Sequence, residues 1–229
     1  MTAPRILIVC TGNICRSPLA EQLLRENLRS AGIDAVVTSA GTHAMTGSAM
    51  TPEAAALSTQ YGASNTEHVA RQLTEKLIAD ADLVLTATRD HRRDVVTLLP
   101  KATRYTFTLN QFARLVAPAE VEVGAAFAAD LSRADAQFIR ENSPLPLVES
   151  AKTAIPAPQP ASATWPSFDF PAFIASVASA RGLHPSPNPP TLDDVEDPYR
   201  QPAAVYARAA AAINASVTTI TAALISAGA

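Results

Sequence analysis

Residues 5–9, RILIV, read as a short buried strand, and the polar turn CTGNIC leads from it into the helical pattern RSPLAEQLLRENLRS. A strand whose consecutive residues are apolar needs cover on both faces, as in a parallel sheet with helices on either side. The rest of the first half repeats the theme. A helix is expected from about residue 17 to residue 30, with Gly32 as its stop. AVVT (35–38) reads as a second strand ending in the turn SAGT, and TPEAAALSTQYG as a short helix opened by Thr-Pro and closed by glycine. ADLVLTAT (81–88) is a third strand and TRYTF (103–107) a weaker fourth, with helical RDHRRDVVTLL between them. Alternation of strand and helix argues a parallel α/β sheet.

The second half differs in kind. Twelve of the eighteen prolines lie between Pro118 and Pro190, which argues against regular α/β units there. Within it, AAFAADLSRADAQFIREN and FPAFIASVASARG carry helical spacing, the latter through Phe170, Phe173, Ile174 and Val177; residues 151–166 read as a linker. We therefore expect one domain over 1–229 with a proline-rich, partly helical insertion at 113–190. After Arg208 the chain carries no charge, yet Ile213, Val217, Ile220 and Leu224 recur every three or four residues. That is one apolar stripe of a docked helix, whereas a membrane span is apolar all round.

The net charge of -3 and the absence of Lys/Arg runs give no footprint for nucleic acid or an anionic membrane. Two cysteines in 229 residues make no disulfide framework, which points to a reducing cytoplasm; the five-residue apolar start is too short for a signal-peptide core. His43, His68, His91 and His184 have no metal-ligand spacing, and DDVED lacks the glycine of a calcium loop, so no metal or cofactor is expected. His91 is expected on the solvated face RDHRRD.

Both cysteines lie on the first turn, in the pattern Cys10-x5-Arg16. A chain turning from a parallel strand into a helix can aim several amide N–H groups at one point, with the positive helix end behind them. Such a cradle, Thr11 to Ser17, suits a phosphate-like dianion. Gly12 permits unusual backbone geometry and Asn13 tolerates the left-handed region. Cys10 at its floor is held as the attacking thiolate, Arg16 offers a planar fork to two phosphate oxygens, and Ser17 can donate to the sulfur. A bare Cys-x5-Arg also describes a structural cysteine beside a surface arginine; the strand–helix junction, Gly-Asn and Ser-Pro favour the anion site.

VCTGNICRSPLAE resembles the signature of the low-molecular-weight protein tyrosine phosphatases. TSAGT (38–42), TPEA (51–54), HVARQL (68–73), ADLVLTAT (81–88) and VEDPY (195–199) follow in that family's order, whereas the insertion has no counterpart in its shorter domain. The resemblance implies a four-stranded, flavodoxin-like three-layer fold. It implies hydrolysis of protein phosphotyrosine through a phosphocysteine on Cys10, with phosphate held by Thr11, Gly12, Asn13, Ile14, Cys15, Arg16 and Ser17. Asp197 is implied as the general acid, among the neighbouring acids Asp193, Asp194 and Glu196. Asn13, Ser17, Ser39 and His68 are implied as a supporting network, and Tyr199 with His43 or Met45 as walls of the substrate slot. Arg200 stands where some relatives carry a second aromatic residue, which alters the slot's edge or favours acidic phosphopeptides.

The implied partner is a phosphotyrosine protein, such as a bacterial tyrosine kinase or a protein of polysaccharide production, and phosphate-like oxyanions should inhibit. Three alternatives stay open. An arsenate reductase would need cysteines beyond Cys15, a phosphoarginine phosphatase tends to carry threonine where Ile14 stands, and a non-catalytic phosphate-binding module would not need the acid. Cys15 is either a packed residue or a redox guard for Cys10.

Overall fold

The computed structural model describes residues 3–63, 68–117 and 168–228. Four parallel strands, β1 (Arg5–Cys10), β2 (Val36–Gly41), β3 (Leu83–Thr86) and β4 (Thr106–Thr108), form one sheet in the order β2-β1-β3-β4. Ile6, Ile8 and Cys10 of β1 face one side, and Leu7 and Val9 the other. The first side is covered by α1 (Arg16–Ser30), α5 (Leu109–Val116), α6 (Phe170–Ala180) and α7 (Ala203–Gly228). The second is covered by α3 (Glu75–Ala79) and α4 (Arg89–Leu98), through Ile78 and Val95. The short helix α2 (Pro52–Gln60) packs beside α1 and α7. This is the three-layer α/β architecture expected from the strand–helix alternation.

The local chemistry explains the boundaries. Helix α1 stops where Gly32 takes φ 72°, with its N–H on the Arg29 carbonyl and that of Ile33 on the Leu28 carbonyl. This double bond pattern closes a helix on a left-handed glycine. Strand β2 runs three residues past the expected end, because Ser39, Ala40 and Gly41 pair with Ile8, Val9 and Cys10. Polar SAG reads as a turn in isolation, but neighbouring β1 supplies its ladder. Residues 103–104 belong to a 3₁₀ turn (Pro100–Arg104), so β4 starts later than the TRYTF pattern predicts.

Helix α5 crosses position 113, and Phe112 is fully buried. The expected helix around Phe127–Phe138 and the linker 151–166 lie outside the described residues. Helix α6 docks through Phe170, Ile174 and Val177, all buried. The Arg181 side chain that follows it donates to the carbonyls of Thr103 and Thr106, with its guanidinium 4.0 Å from the Phe107 ring centroid. Burial, and next the Arg92 charge, push the Arg181 guanidinium down to about 10.

Helix α7 is long and apolar enough to cross a membrane by length and composition alone. Its stripe Ile213, Val217, Ile220 and Leu224 is nevertheless buried in the core, against α1 and α5. Each such side chain contributes about 1.5–3 kcal/mol by leaving water.

Candidate active site

In a sheet of this order, crossovers leave β1 toward opposite sides, and the crevice past its carboxyl end is where such folds bind ligands. Cys10 ends β1 at that point. The loop after it turns every carbonyl outward. Those of Cys10, Thr11 and Gly12 accept the N–H groups of Thr42, His43 and Met45 at 2.9, 3.0 and 3.0 Å. Those of Ile14 and Cys15 accept from Thr51 and Leu19 at 2.9 and 3.2 Å. His68 Nε2 donates to the Asn13 carbonyl at 2.7 Å. In a trans peptide the next N–H opposes the carbonyl, so the N–H groups of residues 11–16 point into the concave side. That is an anion cradle at a helix N-terminus.

Two residues make the curvature possible. Asn13 takes φ 55°, a region asparagine enters more readily than most residues. Gly41 lets β2 approach so closely that a Cβ there would sit 2.3 Å from the Thr11 carbonyl oxygen.

Asn13 also organises the polar groups behind the cradle. Its Oδ1 accepts the Arg71 N–H at 2.9 Å, which fixes the amide so that Nδ2 donates to Ser17 Oγ at 2.9 Å and Ser39 Oγ at 2.8 Å. Ser39 in turn donates to Glu21, the ion-pair partner of Arg25. Ser17 therefore has its hydrogen left to donate to Cys10 Sγ, 2.9 Å away. Ser39 and His68 stand behind the loop rather than in the cavity.

The cavity over Cys10 has a volume of about 160 Å³, with Ile14, Met45, His43 and Tyr199 in its walls. Arg16 and Asp197 lie in it together, Arg16 Nη2 at 2.8 Å from Asp197 Oδ2, and Arg16 Nη1 donates to the Val195 carbonyl at 3.2 Å. Cys15 is a buried free thiol touching Thr51 Oγ1 at 3.5 Å and the Tyr206 hydroxyl at 3.8 Å. Burial pushes it up, against the lowering hydrogen bonds of Thr51 and Tyr206.

Every acid of the stretch is paired, although Glu196 and Asp197 stay half exposed. Asp193 pairs with Arg114 at 3.2 Å, Asp194 with Arg89 at 2.8 Å, Glu196 with Arg208 at 3.1 Å, and Asp197 with Arg16. Each acid meets a different arginine, from α5, α4, α7 and α1. Asn110 Nδ2 holds the carbonyls of Leu192 and Asp194, and the Val195 N–H bonds the Ala87 carbonyl beyond β3.

His91 corrects the surface expectation. It is buried at 7% exposure, with Nε2 2.8 Å from Thr11 Oγ1 and Nδ1 2.6 Å from Thr88 Oγ1. Burial, and next the Arg16 charge, lower it to about 4, so the ring is neutral. Thr88 Oγ1 also accepts the His91 N–H and Thr11 Oγ1 accepts from Arg16 Nη2 at 3.4 Å, so the two hydroxyls hold the two ring nitrogens within a wider polar network. The signal was position: α4 starts at the carboxyl end of β3, next to the cradle. Among the described residues no three His, Cys, Asp or Glu side chains converge on a metal position.

A family model described as low molecular weight phosphotyrosine protein phosphatase matches residues 5–135. The probable low molecular weight protein-tyrosine-phosphatase EpsP of Ralstonia solanacearum is 40% identical over 106 residues, covering 46% of this chain and 70% of that protein. The protein-arginine-phosphatase of Bacillus subtilis is 39% identical over 108 residues, covering 47% and 71%. Among solved structures, Escherichia coli K30 tyrosine phosphatase Wzb in complex with sulphate aligns at TM-score 0.57 and 17% identity, covering 97% of this chain and 99% of that one. Asp197 lies past the matched span, and its placement rests on its contact with Arg16. From strand through anion loop to the β4 edge, the chain belongs to the low molecular weight phosphotyrosine protein phosphatase family.

Proposed function

We propose that the chain hydrolyses phosphotyrosine in proteins through a phosphocysteine on Cys10. The observation that carries this reading is the meeting of Cys10, Arg16 and Asp197 in one cavity, with Ser17 aimed at the sulfur. The Cys10 thiolate attacks phosphorus, forming S–P as the P–O bond to the phenol breaks. Arg16 and the inward amides hold the equatorial oxygens, where negative charge is spread. Asp197, as the carboxylic acid, gives its proton to the departing phenolate, which leaves poorly without one. Water then attacks phosphorus while the Asp197 carboxylate takes its proton, S–P breaks, and phosphate and the Cys10 thiolate are released. Asn13, Ser17, Ser39 and His68 keep the loop shaped for both steps.

Ile14, Met45 and Tyr199 give the slot an apolar wall suited to an aromatic ring. The Bacillus subtilis relative favours a second reading, phosphoarginine, for which that wall is less suitable. A bacterial tyrosine kinase or a protein of polysaccharide production is the substrate proposed, in the cytoplasm, with phosphate-like oxyanions as inhibitors. The sulphate complex of Wzb supports the last point. One domain with a proline-rich insertion at 113–190 remains our reading of the organisation, supported by α5 and α6 sharing the core.

The test is turnover of phosphotyrosine and phosphoarginine peptides, with mass spectrometry of the acid-quenched enzyme. We expect phosphotyrosine turnover, an adduct on Cys10, and none in Cys10→Ser. Turnover that survives Cys10→Ser would overturn the mechanism; preference for phosphoarginine would overturn the substrate.

A further inference from the structure

Among the described residues, the arginines paired with the acidic stretch 193–197 are Arg16, Arg89, Arg114 and Arg208, one for each acid. The mouth of the cavity is therefore not the acidic surface that DDVED suggests. The next arginine along the chain, Arg200, has no carboxylate partner among the described residues. Its side chain is exposed, and its guanidinium lies 5.1 Å from the ring centroid of Tyr199, itself part of the slot wall. Stacking on an aromatic face holds the charge at the rim.

The backbone at this position is informative. The Gln201 N–H bonds the Pro198 carbonyl at 2.9 Å, closing a four-residue turn, and Arg200 is its third residue with φ 61°. Turns with a left-handed third residue favour glycine or asparagine there, since a larger side chain is strained. An arginine at such a turn position, stacked on the slot wall and without a carboxylate partner among the described residues, is placed to meet a charged group outside the fold. With the phosphate at Arg16 and the ring beside Ile14 and Tyr199, the residues flanking a phosphotyrosine pass over this rim.

Resting on the phosphotyrosine reading, we propose that Arg200 is a specificity-determining residue that selects phosphotyrosine flanked by acidic residues. Exposed ion pairs are weak, so the preference is modest and salt-sensitive. Two phosphotyrosine peptides differing only in Asp or Lys on both sides of the tyrosine provide the test, with 4-nitrophenyl phosphate measured alongside. Wild type should favour the acidic peptide in kcat/KM by roughly two- to five-fold at low salt, and far less near 1 M salt, where screening shortens to about 3 Å. Arg200→Gly, which relieves the strained backbone, should bring the ratio near one, and Arg200→Glu should invert it. A wild-type preference unchanged in both variants, or no wild-type preference, overturns the assignment to Arg200. Hydrolysis of 4-nitrophenyl phosphate but of neither peptide overturns the phosphotyrosine reading, and the Arg200 proposal with it.

Discussion

The Asp197 carboxylate touches the Arg16 guanidinium at 2.8 Å, so the groups proposed to act on the leaving oxygen and on the phosphoryl oxygens meet before any anion arrives. An entering phosphate competes with that carboxylate for the same fork of donors. Asp197→Asn keeps the shape and removes the competing charge. Inorganic phosphate should then inhibit roughly two- to five-fold more tightly, the scale of a half-exposed ion pair. Turnover of phenyl phosphate should fall by about 10²–10⁴, as expected for a lost general acid. Steady-state kinetics with phosphate as inhibitor measure both; unchanged turnover would remove Asp197 from the chemistry.

Arg89 and Arg114 hold the segment that presents Asp197, and they should behave differently. Arg89 is half exposed and grips Asp194 through its side chain and its N–H. Arg89→Gln should leave stability nearly unchanged, as for an exposed ion pair, but misplace the acid. Its loss of kcat/KM should be largest for phenyl phosphate and smallest for 4-nitrophenyl phosphate, whose phenolate leaves without help. An equal loss for both would show that the pair does not position the acid. Arg114 faces a buried carboxylate, Asp193. Arg114→Met strands that charge and should cost about 3–5 kcal/mol in urea unfolding.

His91 should titrate far below an ordinary imidazole. With its value lowered to about 4 in the fold and about 6.5 unfolded, the unfolded chain binds the extra proton between those limits. Stability from this group is therefore complete above pH 6.5 and falls as pH drops toward 4, by at most about 3 kcal/mol. Nitrogen chemical shifts should report a neutral ring at pH 7. His91→Asn should flatten the acid limb of the stability profile; an unaltered limb would assign it to other groups.

The parts of the site legible in the sequence are those built from local chain direction. Strand, cradle and helix follow one another within residues 5–30, so the turn from β1 to α1 carries its own signature. Asn13 in the left-handed region and Gly32 at the helix end are consequences of residue type. What stayed hidden depends on which distant side chain arrives. His91 and Thr11 touch only because β3 lies beside β1, and RDHRRD read alone is a solvated face. The four acids of 193–197 look like surface repulsion until α1, α4, α5 and α7 each bring an arginine. Strand β2 was underestimated for the same reason, since its last three residues are polar or small and gain order from the neighbouring strand.

Cys15 lies in the same loop as Cys10, and its burial keeps it a neutral thiol at pH 7. Its place in the loop beside Cys10, rather than its raised pKa, suits a resolving partner for an oxidised Cys10, which a nearby thiol captures as a reversible disulfide through its thiolate fraction. Cys15→Ser should retain aryl phosphate turnover. After a peroxide pulse followed by dithiothreitol, it should recover far less activity than wild type; equal recovery would leave Cys15 a packing residue.

The Arg181 side chain described with helix α6 has a bearing on how the protein can be cut. Among the described residues β4 is an edge strand, and its outward Thr106 carbonyl is met by Arg92 and Arg181. Open strand edges recruit other chains and seed aggregation, and positive charge placed along them is a natural deterrent. A truncation that removes residues through 190 takes Arg181 with it and leaves Arg92 alone on that carbonyl. One confined to 118–167 leaves the guard in place, so the two deletions should differ in light scattering before they differ in catalysis.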